Sequence, residues 1–292
     1  MEEYKPSSRY YVPHQSAWPA LGALALLILA FGSLNSTETW GFIALVMGLS
    51  ILLFMISGWL WSVIKESDAG LYNQQMDKTF RWGMFWFLVA ELFLFGLLLG
   101  SIIHVRFSIT PWLAGHSGDA SMLTHYLLWP DFAQHWPLVT PPAHSPATTT
   151  AKTGLSGVGH LPLVNVIILM LSALMVALAK RFLKKLEYSI SLIMLKLAIL
   201  FGILFLSLQS YYFFYLTKVD IIVKTGIYGS LLIVFIGLHI INVFAALLLL
   251  ISVRLYQHKL THNNTFLLDA GIWWWSFLTG IALLGFFLIF YP

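Results

Sequence analysis

The sequence predicts an all-α membrane protein with seven transmembrane helices. Of its 292 residues, 59% are apolar and only 10% are charged, whereas soluble domains carry about 25% charged residues. The mean hydropathy is +0.82. So few charges could not cover a soluble globule of this size, which excludes a soluble enzyme and a nucleic-acid-binding module. The chain has no cysteine, so it also lacks disulfides and thiolate ligands.

Seven apolar segments are each long enough to cross the hydrocarbon core, which needs about 20 helical residues. Polar stretches separate them, including a short turn at 35–39 and a basic hairpin at 180–185. The predicted spans are residues 17–34, 40–64, 82–105, 161–179, 188–217, 226–253 and 266–290.

The basic residues predict the orientation, because cytoplasmic loops are enriched in Lys and Arg. With the N-terminus inside, the inner segments hold eleven of the sixteen basic residues and the outer ones hold four. The sequence therefore predicts an inner N-terminus and an outer C-terminus. The inner residues are Lys5, Arg9, Lys65, Lys78, Arg81, Lys180, Arg181, Lys184, Lys185, Arg254 and Lys259, and the outer ones are Arg106, Lys152, Lys218 and Lys224.

Two further features of the sequence are aromatic residues near the span ends and one long connection between spans. Many of the twelve Trp and twelve Tyr, such as Trp18, Trp59 and Tyr291, stand near span ends, as in interfacial belts. The outer connection at 106–160 is much longer than usual for a bundle. We expect its first part, which is rich in Trp and Pro, to be docked, and its second part at 140–159 to be mobile.

Ionisable residues inside the spans are the first candidates for function, since a charge at the bilayer centre costs at least about 2.5 kcal/mol. They are Glu91, Lys196, His239 and, nearer a span end, Asp269. The apolar setting of Glu91 favours its neutral form. It is either a proton-handling carboxyl, a lipid contact or a neutral acid bonded to a neighbouring helix. Lys196 is within snorkelling reach of the inner side, which favours a structural role.

The ten histidines do not predict a metal centre. A haem or copper site in a bundle needs ligands that converge from facing helices at one depth, and only His239 lies well inside a span. Five others fall irregularly in the long outer connection, and His258 and His262 lie in a short inner loop. No P-loop, dinucleotide fingerprint or nucleophile elbow is present, so no catalytic residue and no metal ligand is predicted.

Two consecutive stretches resemble the hallmark of the cytochrome c oxidase subunit III family. They are residues 70–84 (GLYNQQMDKTFRWGM) and residues 87–95 (FLVAELFLF), in which Glu91 matches the membrane glutamate of the family. Further matches follow in order at 10–13, 63–67, 128–130, 226–230 and 237–239. The resemblance covers nearly the whole chain and identifies it as a divergent member of bacterial type.

The departures concern polar positions in the later spans. Asn242 stands where the family commonly has a second histidine, and Tyr212 replaces an acidic residue. Ser276 and Thr279 stand where typical members carry His and Asp. These changes remove polar partners that the family would offer to Glu91, whereas Asp269 matches a family carboxylate.

The resemblance implies a fold in which the first two helices splay from a five-helix bundle and form a V-shaped cleft filled with lipid. It divides the chain into a two-helix segment at 1–81 and a bundle at 82–292 that includes the loop 106–160.

It further implies a non-catalytic core subunit of a proton-pumping cytochrome c oxidase in a bacterial inner membrane. Such a subunit stabilises catalytic subunit I, accompanies subunit II, holds phospholipids and supports proton uptake. Haem and copper are expected in the partner subunits, with none in this chain. The expected lipid or subunit contacts are Glu91, Lys65, Arg81, His239, Trp59 and Asp269, with Lys65 and Arg81 facing lipid head groups.

Two alternatives remain open. A subunit of a quinol oxidase or nitric oxide reductase usually has five spans, and the two additional N-terminal helices count against it. A stand-alone secondary transporter would use Glu91 and Lys196 for coupling, but neither an inverted repeat nor a broken helix is visible in the sequence.

Overall fold

The computed structural model describes residues 16–35, 38–72, 74–138, 160–218, 226–255 and 266–290. Within these ranges all regular structure is helical. Six helices are long and apolar enough to cross a membrane, and a shorter apolar helix of 17 residues precedes them. The predicted all-α membrane fold with seven helices is therefore confirmed. The helices are α1 (Trp18–Leu34), α2 (Thr39–Asp68), α3 (Gln74–His104), α4 (Thr110–Leu113), α5 (Asp119–Leu128), α6 (Leu161–Lys184), α7 (Tyr188–Lys218), α8 (Ile227–Leu255) and α9 (Phe266–Ile289).

The basic segment after the fourth span is helical, which corrects the predicted hairpin at 180–185. Helix α6 continues to Lys184, and the turn falls on the next three residues, with Leu186 at φ 64°. Lys and Arg are good helix formers, and cations in the last turn interact favourably with the helix dipole. The helix therefore extends beyond its apolar part.

The third helix also continues beyond its predicted end. A π-helical turn at Val105–Ile109 joins α3 to the short α4, so the connecting loop begins only after Leu113. The hydroxyl of Thr110 donates to the carbonyl of Val105 at 2.8 Å. The loop start predicted at residue 106 is therefore too early, because the single charge of Arg106 does not end the helix. The second part of the loop, residues 140–159, lies outside the described residues.

The chain divides into two compact units, Met1–Trp82 and Gly83–Pro292. In the first unit, α1 and α2 form an antiparallel pair that packs closely where the residues are small. A Cβ at Gly48 would lie 3.0 Å from the backbone nitrogen of Leu29. The Trp18 ring lies over Gly58, and its indole nitrogen donates to the Ser62 hydroxyl at 3.2 Å. These contacts connect the two helices along their length.

In the second unit, α6 packs against α7 and α9, and α8 packs against the same two helices. The core of this bundle includes the fully buried Phe95, Phe205 and Trp275. Gly202 of α7 leaves room for Trp275, since a Cβ there would lie 2.9 Å from the indole ring. Phe95 joins α3 to the bundle through edge contacts with Phe235 at 5.9 Å and with Phe277 at 6.3 Å.

Candidate functional site

Glu91 lies on α3, one turn before the buried Phe95. Its side chain is half-buried, and its oxygen Oε2 is shielded from solvent and accepts no hydrogen bond from the described part of the chain. An ionised carboxylate with such an oxygen is costly in an apolar medium. The site therefore favours the neutral acid or a donor from a molecule outside this chain.

The side-chain amide of Asn242 in α8 lies close enough to Glu91 to interact with its carboxyl. Its amide nitrogen also donates to the carbonyl of Leu238 at 3.3 Å. Asn242 therefore places a polar side chain near Glu91 at a position where the sequence indicated the loss of one. An amide carries both a donor and an acceptor, so it is able to interact with a carboxyl.

The other divergent positions do not form part of this pair. Thr279 donates to the carbonyl of Trp275 in its own helix at 2.8 Å, and Ser276 is exposed. Tyr212 is buried and its ring meets the edge of Phe290 at 6.0 Å. Among the four departures, only Asn242 contributes a described contact to Glu91.

His239 lies inside the bundle, with 2% of its surface exposed. Its Nε2 is 3.1 Å from the carbonyl oxygen of Leu278. Because a carbonyl only accepts, Nε2 must carry the proton of this bond. The rings of Phe95, Phe205 and Phe235 surround the imidazole at 5.7–6.2 Å. The histidine connects α8 with α9, and its role as a lipid or subunit contact stays a prediction.

Asp269 stands in the first turn of α9 and is 4% exposed. Its Oδ1 lies 2.5 Å from the ammonium group of Lys180, near the end of α6. A carboxylate at a helix N-terminus and an ammonium near a helix C-terminus each interact favourably with the helix dipole. This ion pair connects α6 with α9.

The predicted head-group residues lie in the first unit. Lys65 is exposed in the last turn of α2, with its ammonium 5.5 Å from the Trp61 ring centre. Trp59, on the same helix, is half exposed. Arg81 is half-buried and its Nε donates to Asp77 at 2.8 Å. Lys65 and Trp59 are therefore open to ligands, and the Arg81 guanidinium is oriented by a carboxylate.

A cavity of about 30 Å³ lies among α6 to α9, between the first parts of α6 and α8 and the last parts of α7 and α9. Its polar lining comes from Gln209, Tyr212 and His239. The amide of Asn165 donates to the Oε1 of Gln209, and the Asn165 Oδ1 is buried without a further partner in the described chain. This cavity is large enough for water.

The end of the bundle at which α9 ends contains two residues whose role sequence reasoning missed. The Arg106 guanidinium donates to the carbonyl of Leu288 at 3.1 Å and lies 5.3 Å from the Trp136 ring centre. The Trp136 indole donates to the carbonyl of Ile289 at 3.0 Å. Both residues satisfy carbonyls at the end of α9. The Trp136 contact places this described part of the connection against the bundle.

Three histidines of the long connection lie within hydrogen-bond distance of neighbouring groups. His116 lies 2.9 Å from Gln134, His125 lies 2.8 Å from the Leu113 carbonyl, and His135 lies 2.7 Å from the Ala133 carbonyl. Within the described ranges, no three His, Asp or Glu side chains are grouped as metal ligands would be. His144, His258 and His262 lie outside the described residues.

The seven apolar helices and the buried polar pairs of the bundle define a polytopic helical membrane protein. A family model described as cytochrome c oxidase subunit III matches residues 8–117 and 134–292. The chain belongs to this family.

Curated relatives support the assignment over nearly the full length. Cytochrome c oxidase subunit 3 of Latimeria chalumnae is 26% identical over 274 residues, which cover 92% of this chain and 91% of the relative. The Salmo salar protein of the same name is 27% identical over 277 residues with the same coverage. At this identity the chain is a divergent member, as predicted. Its family supports a role as a subunit of a multi-subunit oxidase.

Proposed function

We propose that this chain is a non-catalytic core subunit of a proton-pumping cytochrome c oxidase. It packs against catalytic subunit I, shares the complex with subunit II and keeps the catalytic subunit stable during turnover. Haem and copper are carried by those partners. The family match over most of the chain supports the assignment.

The second part of the proposal is that the chain holds phospholipids. The Lys65 ammonium at the end of α2 is exposed beside the Trp61 ring, with Trp59 also exposed one turn and a half earlier. Cations and aromatic rings at helix ends suit anionic head groups and the interfacial region. Arg81 supplies a second cation whose position Asp77 helps to fix.

A single observation carries the proposed role of Glu91: its Oε2 is buried without a partner in the described chain. The carboxyl stays largely protonated, shares a hydrogen bond with Asn242 and directs its remaining oxygen to a lipid or a subunit. It supports durability, and it lies beside the main proton path rather than on it. Proton uptake is supported from the inner side, where Glu66 and Asp68 stand near the end of α2.

The proposed location is a bacterial inner membrane, with the N-terminus in the cytoplasm and the C-terminus in the periplasm. The basic residues near the end of α6 support this orientation: Lys180, Arg181, Lys184 and the following Lys185. They stand on the side that is predicted to be cytoplasmic.

A pull-down in mild detergent through an N-terminal tag tests the assembly. We expect a reduced-minus-oxidised haem signal and a large membrane subunit at near-equal stoichiometry. The haem bands and the electron donor that supports turnover distinguish a cytochrome c oxidase from a quinol oxidase or a nitric oxide reductase. A colourless, monodisperse protein without partners would contradict the proposal and favour a transporter.

The substitution Glu91→Gln tests the role of the carboxyl. Gln keeps the shape and a hydrogen-bonding amide, so we expect initial turnover and pumping near those of the wild type. Bound phospholipid and the half-life of activity during turnover should both decrease. Lipid analysis of the purified complex and a time course of oxygen consumption measure these effects.

Glu38→Gln is the matched control, because Glu38 is exposed and its side chain caps no helix. It should change neither quantity. An immediate and complete loss of proton pumping in Glu91→Gln would show that the carboxyl lies on the main proton path.

A further inference from the structure

The short helix α5 follows the third membrane helix and does not cross the membrane. Its ten residues, Asp119–Leu128, span about 15 Å at 1.5 Å per residue. A spanning helix needs about 30 Å. The structure must therefore accommodate α5 at one side of the bilayer or within a protein partner.

One side of α5 is apolar and exposed. Leu123 is 62% exposed and Tyr126 is 75% exposed, and the neighbouring Met122 and Leu127 are also more than half exposed. The opposite side carries the buried Ser121 and the half-buried Thr124 and His125. Asp119 in the first turn is the only Asp, Glu, Lys or Arg of the helix. The helix is thus amphipathic, with an apolar side that carries no charge beyond its first turn.

The polar side of α5 is attached to the end of the third helix. The His125 Nδ1 lies 2.8 Å from the carbonyl of Leu113, the last residue of α4. The chain reverses through Gly115 at φ 81° and Gly118 at φ 96°, where a left-handed backbone suits glycine. A Cβ at Gly115 would lie 3.3 Å from the Cβ of His125. The attachment therefore determines which side of α5 remains free.

Exposed apolar side chains also lie near the end of the membrane helix that precedes α5. Ile103 and Phe107 are exposed near the end of the third helix, and the Trp112 indole meets the edge of Trp129 at 6.0 Å just after α5. Tyrosine and tryptophan at this level are typical of the lipid–water interface. A helix with one apolar side beside a membrane span therefore fits the bilayer boundary better than water.

We infer that α5 is an interfacial helix whose Met122, Leu123, Tyr126 and Leu127 insert into the lipid surface at the end of the third span. His125 holds the helix at this level. The occupant of the apolar surface is the membrane itself. The inference does not depend on the oxidase assignment, and it holds on whichever side of the membrane this end lies.

Spin labels at single cysteines test the depth of α5. The chain has no cysteine of its own, so Leu123→Cys provides a unique label in this chain, and Leu127→Cys provides a second if the first does not fold. The references are Leu97→Cys, 71% exposed within α3, and Ser117→Cys, exposed in the turn before α5. The labelled protein is studied in lipid nanodiscs with its copurifying partners, after subtraction of the label bound by the unsubstituted complex.

Collisions with oxygen report access from lipid, and collisions with a water-soluble nickel chelate report access from water. We expect the oxygen-to-nickel ratio at Leu123 to lie between the high value at Leu97 and the low value at Ser117. A ratio equal to that of Ser117 would place α5 in water. Loss of access to both reagents would show that a protein partner covers it, and either result would overturn the inference. The haem spectrum of the same sample independently tests the oxidase proposal.

Discussion

At the residue scale, two buried serines of the bundle bind backbone carbonyls of the neighbouring helix. The Ser172 hydroxyl donates to the Ala198 carbonyl at 2.7 Å, and the Ser191 hydroxyl donates to the Ala179 carbonyl at 2.8 Å, both between α6 and α7. No bulk water is available in the hydrocarbon core, so polar groups there find partners within the protein or its bound molecules. Between α3 and α8, the Asn242 amide is likewise a polar group near the Glu91 carboxyl.

Asn242→Leu should isolate the Glu91 carboxyl. We expect the free energy of unfolding to decrease by about 1–3 kcal/mol, which is typical of a buried polar group deprived of its partner. The infrared band of the protonated Glu91 carbonyl should move to higher frequency, because that carbonyl or its hydroxyl loses a hydrogen bond. Thermal unfolding of the purified complex and infrared spectra measure the two effects, and Glu91→Gln identifies the band.

Ile241→Leu is the control at the adjacent position, since Ile241 is 64% exposed. It should leave both the melting temperature and the band unchanged. An unaltered Glu91 band in Asn242→Leu would mean that the amide is not a partner of the carboxyl.

At the element scale, helix ends are where charges connect one helix with another. Lys180 and Asp269 connect α6 with α9 at one end of the bundle, and Arg106 binds the last carbonyls of α9 at the other. The extent of each apolar span was predictable, because it depends on local composition. The true helix ends were not, because Lys and Arg side chains allow a helix to continue past its apolar part.

Lys180→Met should destabilise the bundle strongly, because it leaves the buried Asp269 carboxylate without its ammonium partner. Removing one partner of a buried ion pair lowers the free energy of unfolding by about 3–5 kcal/mol. Because Lys180 is partly exposed, we expect a decrease at or below the lower end of this range. Thermal unfolding of the complex measures it. Combining Lys180→Met with Asp269→Leu should recover part of the loss, since no buried charge then remains.

Lys184→Met, one turn further along α6, is the matched control because Lys184 is exposed. It removes the same charge at the same end of the helix and should change stability by less than about 0.5 kcal/mol, as surface substitutions do. Equal losses for the two lysines would mean that net charge, rather than the ion pair, stabilises this end.

At the scale of the whole molecule, the distribution of the basic residues predicts the orientation in the membrane. Single cysteines in the otherwise cysteine-free chain report it directly. We expect a membrane-impermeant maleimide to label Ser117→Cys after permeabilisation of the outer membrane alone. Lys184→Cys should be labelled only in inverted inner-membrane vesicles. The reverse pattern would overturn the proposed inner N-terminus.

The sequence alone predicted the number of helices and their approximate positions. It also identified Glu91 as the acid within the third span. Each depends on local requirements: about 20 apolar residues to cross the bilayer, and hydrogen bonds satisfied within each helix. The family hallmark around Glu91 also lies within one short segment of the chain. Such features need no knowledge of which helices are neighbours.

Only the tertiary structure revealed the partners. The proximity of Asn242 to Glu91 depends on α8 lying beside α3, and the pairing of Asp269 with Lys180 depends on α6 lying beside α9. Arg106 and the Leu288 carbonyl are 182 positions apart, and nothing near Arg106 in the sequence indicates that bond. Local composition determines that a segment spans the membrane, whereas the packing of apolar surfaces determines which polar groups meet.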